Sequence, residues 1–180
     1  MKTNEFKIGL VLLALLIVLG ALAGGQKLYH TNLIEKPVLE GLRALSYVET
    51  TKVNTADNVY QIKVQIRQPG NLKNEYNEID KIIADNIRGH QYEIELVDKR
   101  DEKLQNELQS MELSIYEAIA QNKYLELEQR FAEKAESDHF NYLLQIDKQK
   151  LYVQMSQKDR FLYVIIDRVD TTDSSGAKEE

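Results

Sequence analysis

The run Ile8 to Gly25, IGLVLLALLIVLGALAGG, constrains this chain most, because it holds no charged, amide or hydroxyl side chain. A helix rises about 1.5 Å per residue, so such a run reaches roughly 27 Å, near the hydrocarbon thickness of a bilayer. It has no polar face with which to lie on a soluble core. Residues 8–25 therefore read as a transmembrane segment whose partner is the lipid bilayer, preceded by a short arm, residues 1–7, with Lys2 and Lys7. Two fates fit this start. An uncleaved signal anchor follows from the length, which exceeds a usual secretory h-region of about 7–15 residues. A cleaved signal follows from Ala21-Leu22-Ala23, a small-x-small pattern that would release a chain beginning at Gly24. Basic residues flank the run almost evenly, with Lys27, Lys36 and Arg43 beyond it. The brevity of the arm then sets the orientation: N-terminus inside, Lys27 to Glu180 extracytoplasmic, a single-pass protein of the cell membrane.

The remainder is large enough for one domain or two small packed ones. No cysteine occurs among the 180 residues, which excludes disulfides, thiolate zinc sites and thiol catalysis. Taking Lys2, Lys7, Lys27 and Glu5 from the 23 basic and 29 acidic residues leaves an acidic excess of eight beyond the apolar run. Such a domain repels phosphate backbones, so nucleic acid is not an expected partner.

Hydrophobic periodicity orders the rest of the chain. A juxtamembrane segment, residues 26–36, leads to Pro37, which suits a helix's first turn; Val38, Leu39, Leu42 and Leu45 then share one helical face. Ser46 to Asn54 reads as a weak strand. Asn58 to Arg67 is a clearer one, with Tyr60, Ile62, Val64 and Ile66 alternating with polar residues. Thr55-Ala56-Asp57 is the expected hairpin loop. Gln68-Pro69-Gly70-Asn71 breaks the chain, and Asn71 can cap a helix carrying Leu72, Tyr76, Ile79 and Ile83, with Gly89 as its left-handed stop. Tyr92, Ile94 and Leu96 then alternate with Gln91, Glu93 and Glu95 in a further strand.

The second half opens with two helices, Asp101 to Gln121 and one capped by Asn122 that runs to about Ser137. Three strands come after them, Phe140 to Ile146, Leu151 to Ser156 and Arg160 to Val169, whose short links make them an antiparallel meander. Phe161 to Ile166 is almost wholly apolar and is expected to be a central strand. Residues 170–180 are small and polar and read as a disordered tail. The whole is an α+β fold: a transmembrane helix, an αββαβ unit over residues 37–98 like a ferredoxin-like plait lacking its first strand, and an ααβββ unit over residues 101–169. Helices are expected on one side of a mainly antiparallel sheet, either continuous or split in two.

Chemistry is sparse. His30, His90 and His139 are the three histidines, and Asp138-His139 resembles a metal or triad fragment, but no HxH or HExxH spacing accompanies it. Ser46, Ser110, Ser114, Ser137 and Ser156 lie in no GxSxG or SxxK motif. Calcium loops, GxGxxG and P-loops do not occur. Glu93 and Glu95 share the polar face of one strand, roughly 6.8 Å apart along it by the two-residue rise, a spacing that suits paired carboxylates in a cleft and equally a solvated row. Tyr29 suits a headgroup zone. Tyr142, Tyr152 and Tyr163 fall on the three meander strands, as a partner surface or as the rim of a core. No residue is assigned a catalytic, cofactor-binding or metal-binding role, and no cofactor is expected.

The apolar start, the PVLEGLRAL helix and the αββαβ order of residues 37–97 resemble the small modules of ring-forming membrane proteins in sporulation and secretion machines. The stretches QPGNLKNEYNEIDKII and YEIELVDKRDEKL make the chain similar to uncharacterised single-pass membrane proteins of spore-forming Gram-positive bacteria. Neither resemblance implies a catalytic residue. The leading expectation is a membrane-anchored, extracytoplasmic, non-enzymatic interaction or assembly module, with a protein partner or self-association. The alternatives are a secreted or anchored carboxylate-dependent hydrolase using Glu93 and Glu95, and a small-ligand sensor with its cleft between the two halves.

Overall fold

A computed structural model of the chain describes residues 31–168 except Asn58, together with Leu15 and Val18. Leu15 and Val18 are helical and exposed. The rest of the expected membrane span, the arm, residues 26–30 and the tail lie outside the described residues. Among the described residues no helix is long and apolar enough to cross a membrane.

A π-helical turn, Thr31–Glu35, leads into α1 (Lys36–Arg43), with Pro37 in the first turn and Val38 and Leu42 fully buried. β1 (Val48–Ala56) and β2 (Val59–Ile66) form an antiparallel hairpin. Ala56 faces Val59, so Thr55 and Ala56 belong to the strand and not to the expected loop Thr55-Ala56-Asp57. Asp57 takes φ 51°, a left-handed conformation that short polar side chains tolerate and tight hairpins need. The alternation of β2 is realised in full: Tyr60, Ile62, Val64 and Ile66 are all buried.

Asn71 caps α2 (Leu72–Asn86), its side chain accepting the Asn74 amide at 3.0 Å. The helix stops before Gly89. Gly89, at φ 79°, instead shapes the turn in which the His90 amide bonds the Ile87 carbonyl. α2 is the crossover that lays β3 (Gln91–Val97) parallel to β2, in the strand order β1-β2-β3. α1 and α2 touch closely at Gly41, where a Cβ would come within 2.8 Å of Ile82 Cγ2.

Asp101 caps α3 (Glu102–Gln121), accepting the Leu104 amide at 2.9 Å. Asn122 ends this helix rather than starting the next one. Its φ of 56° is the left-handed stop that asparagine adopts more readily than most residues. Lys123 precedes α4 (Tyr124–Asp138), which ends on His139, also left-handed at φ 56°. β4 (Asn141–Ile146), β5 (Lys150–Gln157) and β6 (Arg160–Asp167) form the antiparallel meander, in that spatial order.

The described residues are thus α+β, with two three-stranded sheets, the split form of the two left open by the sequence. The second sheet is covered on both faces. Leu151, Val153, Met155 and Leu162 pack with Leu104, Ile115, Leu127 and Phe131 of α3 and α4. The opposite face sends Tyr152 and Tyr163 into the core of Ile62, Val64, Ile79 and Ile83. Helices therefore occupy opposite sides of the second sheet, not the single side expected. The reason is visible in β5 and β6, whose nearly continuous apolar runs need cover above and below. The first sheet buries one face alone. Its outer face is polar, as alternation in β2 and β3 predicts.

Candidate functional site: a slot between two sheet edges

β6 stands at the edge of its sheet, although its composition is that of a central strand. β3 stands at the edge of the other. The two edges face each other. They meet at a backbone bridge, with the Lys99 amide donating to the Phe161 carbonyl at 3.1 Å and the Phe161 amide to the Lys99 carbonyl at 3.4 Å. Continued antiparallel pairing would bring Tyr163 against the end of β3. Asp98 and Arg100 prevent it. Asp98 Oδ2 accepts the Tyr163 amide at 3.1 Å, and Arg100 Nη2 donates to the Tyr163 carbonyl at 3.4 Å. Arg100 is itself paired with Asp98 at 2.6 Å, and the Asp98 side chain is 5% exposed. This ion pair takes both backbone groups of Tyr163 and acts as a wedge.

Beyond the wedge the strands diverge into a slot of about 580 Å³. Its walls are Tyr92, Glu93, Ile94 and Leu96 of β3 and Tyr163, Ile165 and Asp167 of β6. Strand parity shows which backbone groups face it. The Arg168 amide bonds the Gln149 carbonyl of the neighbouring loop, so 168, 166, 164 and 162 pair toward β5, while 167, 165 and 163 turn outward with Phe161. On β2 the hairpin closure at Val59 directs odd residues to β1 and even ones to β3. In the parallel register with β2, Gln91, Glu93 and Glu95 then pair inward, and Tyr92, Ile94 and Leu96 present their amides and carbonyls to the slot.

The floor is polar and aromatic. Tyr76 and Asp80 of α2 lie beneath, with Lys150 at the start of β5. The Tyr92 hydroxyl donates to Asp80 at 2.8 Å. Burial, reinforced by that hydrogen bond, pushes the Tyr92 phenol up to about 12. Lys150 bonds Asp167 at 2.5 Å and lies 5.8 Å from the Tyr76 ring centre. Burial alone would lower the Lys150 ammonium, but Asp167 holds it above the ordinary lysine range. Three carboxylates, Asp80, Glu93 and Asp167, therefore share this slot with Lys150, and the balance is negative.

The residues singled out by sequence fall in different places. Glu93 reaches the slot, while Glu95 pairs with Lys63 at 2.7 Å on the outer face of the first sheet. Both are exposed, and only Glu93 borders the slot, so the two carboxylates do not share one cleft. The meander tyrosines do not form one surface. Tyr142 lies on the α3–α4 side, where it bonds Glu128 at 2.9 Å. Tyr152 and Tyr163 lie on the other. The Tyr152 hydroxyl donates to Asp147 at 2.7 Å and lies 3.1 Å from Asn77 Oδ1, and Tyr163 donates to the Ile66 carbonyl at 3.3 Å. Burial is the first cause that raises both phenols. Burial would also raise Asp147, but the Tyr152 hydroxyl and the Gln149 and Lys150 amides outweigh it and hold this carboxyl below the usual range.

Asp138 pairs with Lys134 at 2.8 Å, and that bond lowers its pKa; His139 serves as the backbone stop of α4. The Tyr60 ring meets His90 edge-on at 5.6 Å. Among the described residues no cluster of histidines and carboxylates could hold a metal ion. His30 and Tyr29 lie outside them. Sequence reasoning missed Asp98 and Arg100 as a wedge. No local pattern signals it, because the contacts join residues 65 and 63 positions apart. No known family, curated protein or solved structure matches this chain.

Proposed function

We propose that this protein is a membrane-tethered, extracytoplasmic, non-enzymatic interaction module. Residues 8–25 supply the tether, and residues 31–168 supply the module, whose αββαβ unit has the element order of a truncated ferredoxin-like plait. The observation that carries the interaction reading is the slot, where two strand edges expose backbone donors and acceptors toward one another. Exposed edges recruit other chains unless they are blocked, and β6 carries no proline or bulge that would block it. The test is the native state of the full-length protein in host membranes, read by cross-linking and native electrophoresis together with intact mass. A discrete complex larger than one chain, with Ile8 to Gly25 retained, is the expected result. A lone chain, or a soluble species beginning at Gly24, counts against the module or the tether respectively.

A small-ligand sensor is the second reading. It is favoured by the size of the slot, about 580 Å³, and its position between the two units, both usual for ligand sites. A thermal-shift screen with cationic metabolites tests it, since a ligand at a hundred times its Kd stabilises by about 2.7 kcal/mol.

A further inference from the structure

We infer that the slot between β3 and β6 takes an extended, positively charged peptide strand from a partner protein, joining the two sheets into one seven-stranded sheet. The inference rests on the interaction reading and names the partner's chemistry.

Backbone geometry comes first. Tyr92, Ile94 and Leu96 face the slot from one side, and Ile165 and Asp167 face it from the other. A strand lying between them would gain ladder hydrogen bonds on both edges, where ordinary strand addition gains them on one. The walls accommodate about five residues at ~3.3 Å each. The wedge sets the depth of entry, because Asp98 and Arg100 already satisfy Tyr163.

Charge selects the occupant. Asp80, Glu93 and Asp167 outnumber Lys150, so lysine or arginine side chains pointing to the floor or the rim are attracted. The chain's own residues 169–180 are a poor fit, since Asp170, Asp173, Glu179 and Glu180 outweigh Lys178. A partner strand with alternating basic residues fits best.

The test uses three blocked peptides of about seven residues, long enough to span the slot at the strand rise. One alternates lysine with valine, one replaces lysine by glutamate, and one is the lysine peptide with N-methylated backbone amides. Binding to the full-length protein in detergent is measured by titration, with amide hydrogen exchange as the structural readout. The lysine peptide is expected to bind and to slow exchange at Ile94, Leu96, Ile165 and Asp167. The glutamate and N-methyl peptides are expected to bind roughly tenfold more weakly or less, the loss of one or two net hydrogen bonds or of charge matching. Ile165→Pro removes a slot-facing amide without removing a β5 bond and should weaken binding similarly. Glu93→Lys alters an exposed side chain, so folding is retained, and it should weaken binding about threefold or more.

Equal binding of all three peptides, no binding of the lysine peptide, or protection elsewhere overturns the proposal. If the peptides fail while the full-length protein still sits in a larger membrane complex, the slot assignment falls and the interaction reading stands. If the protein is also a lone chain in membranes, both fall.

Discussion

Single side chains decide how the two strand edges relate. The Asp98 carboxylate is buried and holds both the Tyr163 amide and Arg100. Asp98→Ala leaves those donors without it, and a loss of about 2–3 kcal/mol is expected in urea unfolding, the range for hydrogen bonds to a charged group. Phenols set the alkaline limit. Tyr92 is pushed up to about 12 by burial and by Asp80, from an ordinary value of 10. In the unfolded chain it ionises near 10, whereas the folded protein keeps the proton. The unfolded state therefore binds fewer protons between about 10 and 12, and stability falls as pH rises through that window. Tyr47, Tyr152 and Tyr163 shift in the same direction, burial first among the causes. The fall of urea-unfolding stability between about pH 10 and 12 should be shallower in Tyr92→Phe than in the parent chain; an unchanged slope would contradict this. Asp147 has the opposite sign. Its lowered pKa contributes stability that is present above the ordinary aspartate value of about 4 and is lost as pH falls through the folded value.

At the scale of elements, helix ends and strand faces followed local rules more closely than strand neighbours did. Asn71 and Asp101 cap as their residue types suggest, each accepting an amide three residues on. Asp101→Ala should cost about 1 kcal/mol, measured as a shift in the denaturation midpoint. Asn122 was legible as a boundary residue but not as which boundary, because asparagine serves both as an N-cap and as a left-handed stop. Asn122→Gly should then preserve stability, while Asn122→Ala should lose about 1 kcal/mol, the ordinary penalty of a left-handed alanine. A result in which glycine is the worse of the two would return Asn122 to the start of α4. Phe131 is fully buried between α4 and the second sheet. Phe131→Ala should cost about 3–5 kcal/mol in thermal or urea unfolding.

Across the whole molecule, the two units share a core. Tyr152 and Tyr163 of the second sheet pack with the helices and strand of the first unit, and Tyr76 meets Tyr152 edge-on at 6.0 Å. Unfolding of residues 31–168 should accordingly be one transition by circular dichroism and by tyrosine fluorescence. Tyr152→Ala should accelerate hydrogen exchange in β2 and α2 as well as in β5, and acceleration confined to the meander would show that the units are independent. α2 lies under both edges, and the wedge pins their meeting point.

The order of elements, the polar outer face of the first sheet and the bilayer-length run of residues 8–25 depend on neighbours within a few positions, so they could be read directly. Period two and period 3.6 are local properties. The sequence likewise determined that Phe161 to Ile166 needs cover on both sides. Whether that cover comes from strands or from helices and an opposed unit is a question of packing at long range, and periodicity is silent there. Only the tertiary structure set β6 at an edge, divided the tyrosines between two faces and brought Asp98, Tyr163, Asp80 and Lys150 around one slot. These residues lie far apart in the chain, and their meeting depends on the crossover of α2 and on the Lys99–Phe161 bridge, neither of which leaves a periodic trace.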